Sequence, residues 1–100
     1  MDWRDLRKQV MKIFQKKSKK LDLNADMELH FIEDAPIGEE YVYGEAFPDK
    51  NKIWLEIVAP FASIKQITEI ICHELIHIKF PELSHDSEMF EEMVRNSMKN

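Results

Sequence analysis

Residues 73–77 read His73-Glu74-Leu75-Ile76-His77. Histidines four apart on a helix stand one turn above each other, so their imidazoles can converge on a single ion. Neutral imidazole suits zinc (Zn2+), whose catalytic sites take three protein ligands and leave the fourth position to water. Glu74 is displaced from His73 by about 100° around the helix, the angle per residue of the helical period. It is therefore better placed to reach a water on the ion than to hold the ion. In that arrangement zinc lowers the pKa of the water, Glu74 takes its proton, and the hydroxide attacks a carbonyl polarised by the metal. Glu74 then hands the proton to the leaving amine. The motif is short, and a pair of surface histidines on a helix would show the same spacing. Leu75, Ile76 and Ile78 mark this helix as largely buried, and buried imidazoles need partners, which a metal supplies.

The surrounding pattern supplies the elements that must position these groups. Ser63 followed by Gln66 matches a capping box, and Ile64, Ile67, Ile70, Ile71, Leu75 and Ile78 continue helically to about Phe80, where Pro81 stops the helix. Upstream, Asp2 can cap a first helix over residues 3–20 in which Trp3, Leu6, Val10, Ile13 and Phe14 recur at helical spacing. Met27, Leu29 and Phe31 alternate with Glu28, His30 and Ile32, which predicts a strand over 27–33. A second strand is predicted from Tyr41 to Phe47 and a third over 53–58, joined by the turn-forming Pro48-Asp49-Lys50-Asn51 as a hairpin. Ser84 or Asp86 can cap a last helix carrying Met89, Phe90, Met93 and Val94. Helix, three strands, two helices is an α+β domain in two layers. His30, opposite the Met27, Leu29, Phe31 face, is expected to face solvent and not to be a ligand. Cys72 is expected to be a small buried hydrophobe. Tyr41 and Tyr43 are assigned to core or hairpin packing. If the strand over 53–58 forms the sheet edge beside the metal, its backbone can pair with an extended substrate.

The chain has 100 residues, which predicts one domain spanning 1–100. Apolar residues make up 44% and charged residues 33%, a globular and densely charged composition. The net charge of −5 argues against a nucleic-acid partner. The one basic cluster, Lys16, Lys17, Lys19 and Lys20, is expected to be a solvated helix end complementing the helix dipole. A lone cysteine allows no internal disulfide. No signal peptide is legible behind Met1-Asp2-Trp3-Arg4-Asp5, and no apolar run approaches the roughly 18 residues needed to cross a bilayer. The expectation is a cytoplasmic protein with no membrane partner.

His73-Glu74-Leu75-Ile76-His77 on the second helix, after a sheet ending in Ile53–Val58, resembles the zincin metallopeptidases. The metzincin branch does not fit, because its glycine would fall on Phe80 and its third histidine on Leu83. With Phe80-Pro81-Glu82-Leu83-Ser84-His85 following the motif in so short a chain, the sequence looks like the minigluzincins, small soluble relatives of the gluzincin peptidases. The resemblance covers roughly residues 27–95. It implies a zincin-like minimal domain acting as a zinc-dependent endopeptidase on peptide or protein substrates. His73 and His77 would be metal ligands and Glu74 the catalytic residue. The resemblance favours His85, the only histidine after the motif, as third ligand. Glu88 on the following helix is the alternative, with Glu92 four residues on. The resemblance also implies zymogen-like latency, with the segment from about Arg95 onward covering the metal. Met93, Val94 and Met98 give that segment an apolar stripe, which could fold over its own cleft or join a second copy as a homodimer.

Two other readings share these residues. One is a non-catalytic, zinc-stabilised protein-binding module in which all four metal positions are closed by protein. The other is a three-histidine zinc ribonuclease, but RNA needs cations near the metal, and Glu82, Asp86 and Glu88 surround His85 instead.

Overall fold

The computed structural model describes residues 3–32, 41–58, 62–84 and 86–99. Their order is α1 (Trp3–Lys20), β1 (Asp26–Ile32), β2 (Val42–Phe47), a 3-10 turn (Pro48–Lys50), β3 (Lys52–Val58), α2 (Ile64–Lys79) and α3 (Glu88–Met98). This is the predicted α+β layout of an N-terminal helix, a three-stranded sheet and two further helices. The cap assigned to Asp2 lies outside the described residues.

The strand order is β1-β3-β2, with β3 parallel to β1 and antiparallel to β2. The expectation that the strand over 53–58 forms a sheet edge is therefore corrected: β3 is the central strand. Its side chains give the reason. Ile53, Leu55, Ile57 and Val58 are all buried, and the most apolar strand gains most from neighbours on both sides. β2 buries only Val42 and carries Gly44 and Glu45, so it loses least at an edge.

Leu29, Val42, Ile53, Leu55 and Ile57 point to one face of the sheet, where they meet Leu6, Val10 and Phe14 of α1 and Ile67, Ile71, Leu75 and Ile78 of α2. The other face is polar. There His30 stacks on Trp54 with ring centroids 4.3 Å apart, and its Nε2 lies 2.8 Å from Glu28 Oε2. Lys52 Nζ donates to the other Glu28 oxygen at 2.6 Å. His30 thus sits on the outer face as the alternation predicted. Tyr41 and Tyr43 are 37% and 49% exposed, so they are not core residues. Tyr43 lies on the outer face, where its hydroxyl donates to Glu45 Oε2 at 3.4 Å.

Two expectations about helix ends change. The cap of α3 is Ser87, whose Oγ accepts from the Phe90 N–H at 3.1 Å, and not Ser84 or Asp86. Ser84 is used in the preceding turn instead, where its Oγ accepts from the Asp86 N–H at 3.3 Å. The basic end of α1 is also more than a solvated dipole complement. Lys17 is 3% exposed, and its Nζ donates to the Lys99 carbonyl at 3.3 Å. Lys20 Nζ donates to the Asn96 carbonyl at 2.8 Å and to that of Lys99. Both ammoniums bond carbonyls at the end of α3, and Lys20 shares that of Asn96 with the Lys99 N–H. Among the described residues, no helix is long and apolar enough to cross a membrane.

Candidate metal centre

Helix α2 begins with the predicted capping box: Ser63 Oγ accepts from the Gln66 N–H and Gln66 Oε1 accepts from the Ser63 N–H, each at 3.1 Å. The helix is then buried on two sides. Ile67, Ile71, Leu75 and Ile78 face the sheet and α1, while Cys72 and Ile76 pack against Phe90 and Val94 of α3. Cys72 is the buried small hydrophobe expected of it. At about 100° per residue, the side left over carries His73, His77 and, nearer the sheet, Glu74. Burial of the isoleucines on both flanks thus fixes the direction in which the three polar side chains point.

The two imidazoles converge, with Nε2 of His73 and Nε2 of His77 3.1 Å apart. Their rings meet edge to face at a centroid distance of 4.7 Å. Phe90 of α3 packs on both, with its centroid 4.8 Å from His73 and 4.5 Å from His77. His73, Glu74 and His77 each offer a ligand atom, all within 4.8 Å of one another, so the cluster can hold a metal ion.

Glu74 is only 7% exposed. Its carboxyl is pushed up from its ordinary 4.5 to about 7, first by burial and then by the charge of Glu45. Gly44 makes this burial possible. A Cβ built there would stand 2.6 Å from Ile70 Cγ2 and 2.9 Å from Glu74 Cγ, so α2 closes on β2 only because residue 44 has no side chain. A cleft of about 380 Å³ opens between Gly44, Glu45 and Ala46 on β2 and His73, Glu74 and His77 on α2. A second cleft, about 330 Å³, lies on the other side of His73, against Phe90, Glu91 and Arg95 of α3 and Glu69 of α2.

The hydrogen bonding of β2 gives the first cleft a backbone wall. Val58 N–H donates to the Tyr41 carbonyl at 2.8 Å. Directly opposed antiparallel residues alternate between bonded and non-bonded pairs. Tyr43, Glu45 and Phe47 are therefore the positions bonded to β3, and the N–H and C=O groups of Val42, Gly44 and Ala46 turn away from it.

The site thus unites His73, Glu74 and His77 as predicted. His85 lies outside the described residues. Glu88 and Glu92, the alternatives for third ligand, are exposed on α3, and among the described residues neither joins the cluster. Sequence reasoning missed Gly44, Glu45 and the place of Phe90. An isolated glycine inside a strand pattern signals a close approach and could have identified Gly44. Phe90 was legible only as part of an apolar stripe, and Glu45 only once the register is known. No family model, curated protein or solved structure matches the chain, so its function must be inferred from its own residues.

Proposed function

We propose that the chain is a zinc-dependent endopeptidase, with His73 and His77 holding the ion and Glu74 as general base and acid. The observation that carries this reading is the pair of Nε2 atoms 3.1 Å apart with a buried carboxylate beside them. Two imidazole nitrogens about 2.0–2.1 Å from one tetrahedral zinc stand roughly 3.3 Å from each other, so the donors fit the ion. His85 would complete the protein ligands, as the minigluzincin resemblance implies, with Glu88 the alternative. Zinc bound there supplies Lewis acidity, which acidifies water and polarises a peptide carbonyl.

The chain's own residues do the rest. Gly44 and Ala46 offer outward backbone groups on the edge of β2, where an extended peptide can pair as an added strand and bring its carbonyl to the cleft. Glu74, with its proton affinity raised towards neutral pH, accepts the proton of the attacking water and returns it to the leaving amine. Phe90 packs against both imidazole rings and restricts their rotation. In support of the latency reading, the last turn of α3 carries Arg95 and Met98 beside His73, and that turn would narrow the approach on the α3 side.

The test uses zinc-loaded wild type, Glu74→Gln, and each chain shortened from Arg95, with quenched fluorescent peptides as substrates. The expected outcome is cleavage by wild type that rises on shortening. Glu74→Gln should keep one zinc per chain and lose at least about a hundredfold in rate, the usual scale for a proton-transfer residue. Folded, zinc-loaded chains that are inert in every form would leave the zinc-stabilised binding module in its place.

A further inference from the structure

The cleft between β2 and α2 carries charge of one sign. Glu45 lines it beside the two histidines and Glu74, and among the described residues no lysine or arginine does. Resting on the peptidase reading, we propose that Glu45 is a specificity-determining residue that selects a lysine or arginine side chain flanking the scissile bond.

Strand geometry leads to this assignment. Gly44 and Ala46 are the residues whose backbone groups turn away from β3, and Glu45 stands between them with its side chain on the opposite face of the sheet. Successive side chains of an extended peptide point to alternate faces. When a substrate strand lies along β2, the residue whose side chain points to the α2 face sits over Gly44 and Ala46. The residues before and after it point to the outer face, alongside Glu45. Cross-strand neighbours on one face have their Cβ atoms about 4.5–5.5 Å apart, within easy reach of a lysine or arginine head group. Tyr43 sits on the same face and donates to Glu45 Oε2 at 3.4 Å, which holds the carboxylate on that face. The chain's net charge of −5 adds an attraction for basic peptides at longer range.

The experiment is a cleavage-site profile of the full zinc-loaded chain on an equimolar synthetic peptide library, read by mass spectrometry, with Glu74→Gln as the blank. An exposed ion pair predicts an enrichment of lysine and arginine over leucine of up to about fivefold at one position flanking the cut. Acidic residues at that position should be depleted by a similar factor. Glu45→Gln should remove the preference, Glu45→Lys should turn it towards aspartate and glutamate, and about 0.5 M salt, with a Debye length of roughly 4 Å, should shrink it in wild type. A second readout needs no turnover: lysine and glutamate versions of one labelled peptide should differ in affinity for zinc-loaded Glu74→Gln by anisotropy, and that difference should vanish when Glu45→Gln is added. Cuts without basic enrichment, or enrichment and binding preference untouched by Glu45→Gln, would overturn this inference and leave the peptidase standing. No cuts above the blank would overturn the peptidase reading and this inference with it.

Discussion

Glu74 is a carboxyl group buried in a packed interface. Burial and the neighbouring Glu45 push its pKa from 4.5 to about 7. The raised value means that the folded chain binds its proton more tightly than the unfolded chain does. The resulting stabilisation is complete below about pH 4.5 and is lost as the pH climbs to about 7. At about 1.4 kcal/mol per pH unit, metal-free wild type should lose roughly 2–3 kcal/mol relative to Glu74→Gln between pH 5 and pH 8. Urea unfolding of both chains at the two pH values measures this difference, and the histidines, common to both, largely cancel. Equal pH dependence in the two chains would show that Glu74 keeps an ordinary carboxyl pKa. Gly44 is the other residue on which the site turns. In Gly44→Ala the new methyl meets Ile70 Cγ2 at 2.6 Å and Glu74 Cγ at 2.9 Å, neither of them the free end of a flexible chain. The expected cost is about 1–3 kcal/mol of stability by overpacking. A fall in kcat should accompany it, because Glu74 must shift, and Ile70→Ala in the same chain should restore part of both. Unaltered unfolding and rate would mean that the helix and strand are further apart than described.

At the level of elements, the edge position of β2 is what a substrate strand requires. The N–H of Ala46 points away from β3, so Ala46→Pro removes one outward donor and no bond of the sheet. One lost backbone hydrogen bond, at about 1 kcal/mol, predicts a rise of roughly fivefold in KM. Zinc stoichiometry and far-UV circular dichroism should be unchanged. A loss of metal instead would show that β2 supports the ligands and does not receive the substrate. This topology was the part of the fold that periodicity could not supply. Helical spacing marked α1, and the capping box marked the start of α2, because those signals are local. Alternation marked β1 and the hairpin of β2 and β3 for the same reason. The insertion of β3 between β1 and β2 depends on which strand gains most from burial on both sides, a comparison between distant segments. The lysines at the end of α1 show the same limit: their composition fits a solvated helix end, and only the arrival of α3 makes them caps for another helix. The motif over 73–77 was legible because its geometry lies within one helix, whereas Gly44 and Phe90 reach it from other elements.

For the molecule as a whole, α2 is a spine held from two sides. One apolar cluster joins it to the sheet and α1, and another, built on Cys72, Ile76, Phe90 and Val94, joins it to α3. Both clusters hold α2 by apolar packing, so on the proposed reading the core is expected to stand without the ion. A structural zinc site behaves differently, because its metal supplies folding energy outright and its removal unfolds the domain. Chelator-treated protein should therefore retain its far-UV spectrum and unfold cooperatively. Zinc should then stabilise it by mass action alone, by about 4 kcal/mol at a free concentration 1,000 times Kd. For a domain of this size, at roughly 4–8 °C per kcal/mol, the melting temperature should rise by at least about 15 °C. His73→Ala or His77→Ala should abolish the rise while leaving the metal-free melting temperature within a few degrees. Calorimetry with and without zinc separates the possibilities. Unfolding on chelation would identify the ion as a structural support and favour the binding module. An absence of any shift in wild type would mean that the converging imidazoles hold no zinc, and the peptidase reading would fall with the site.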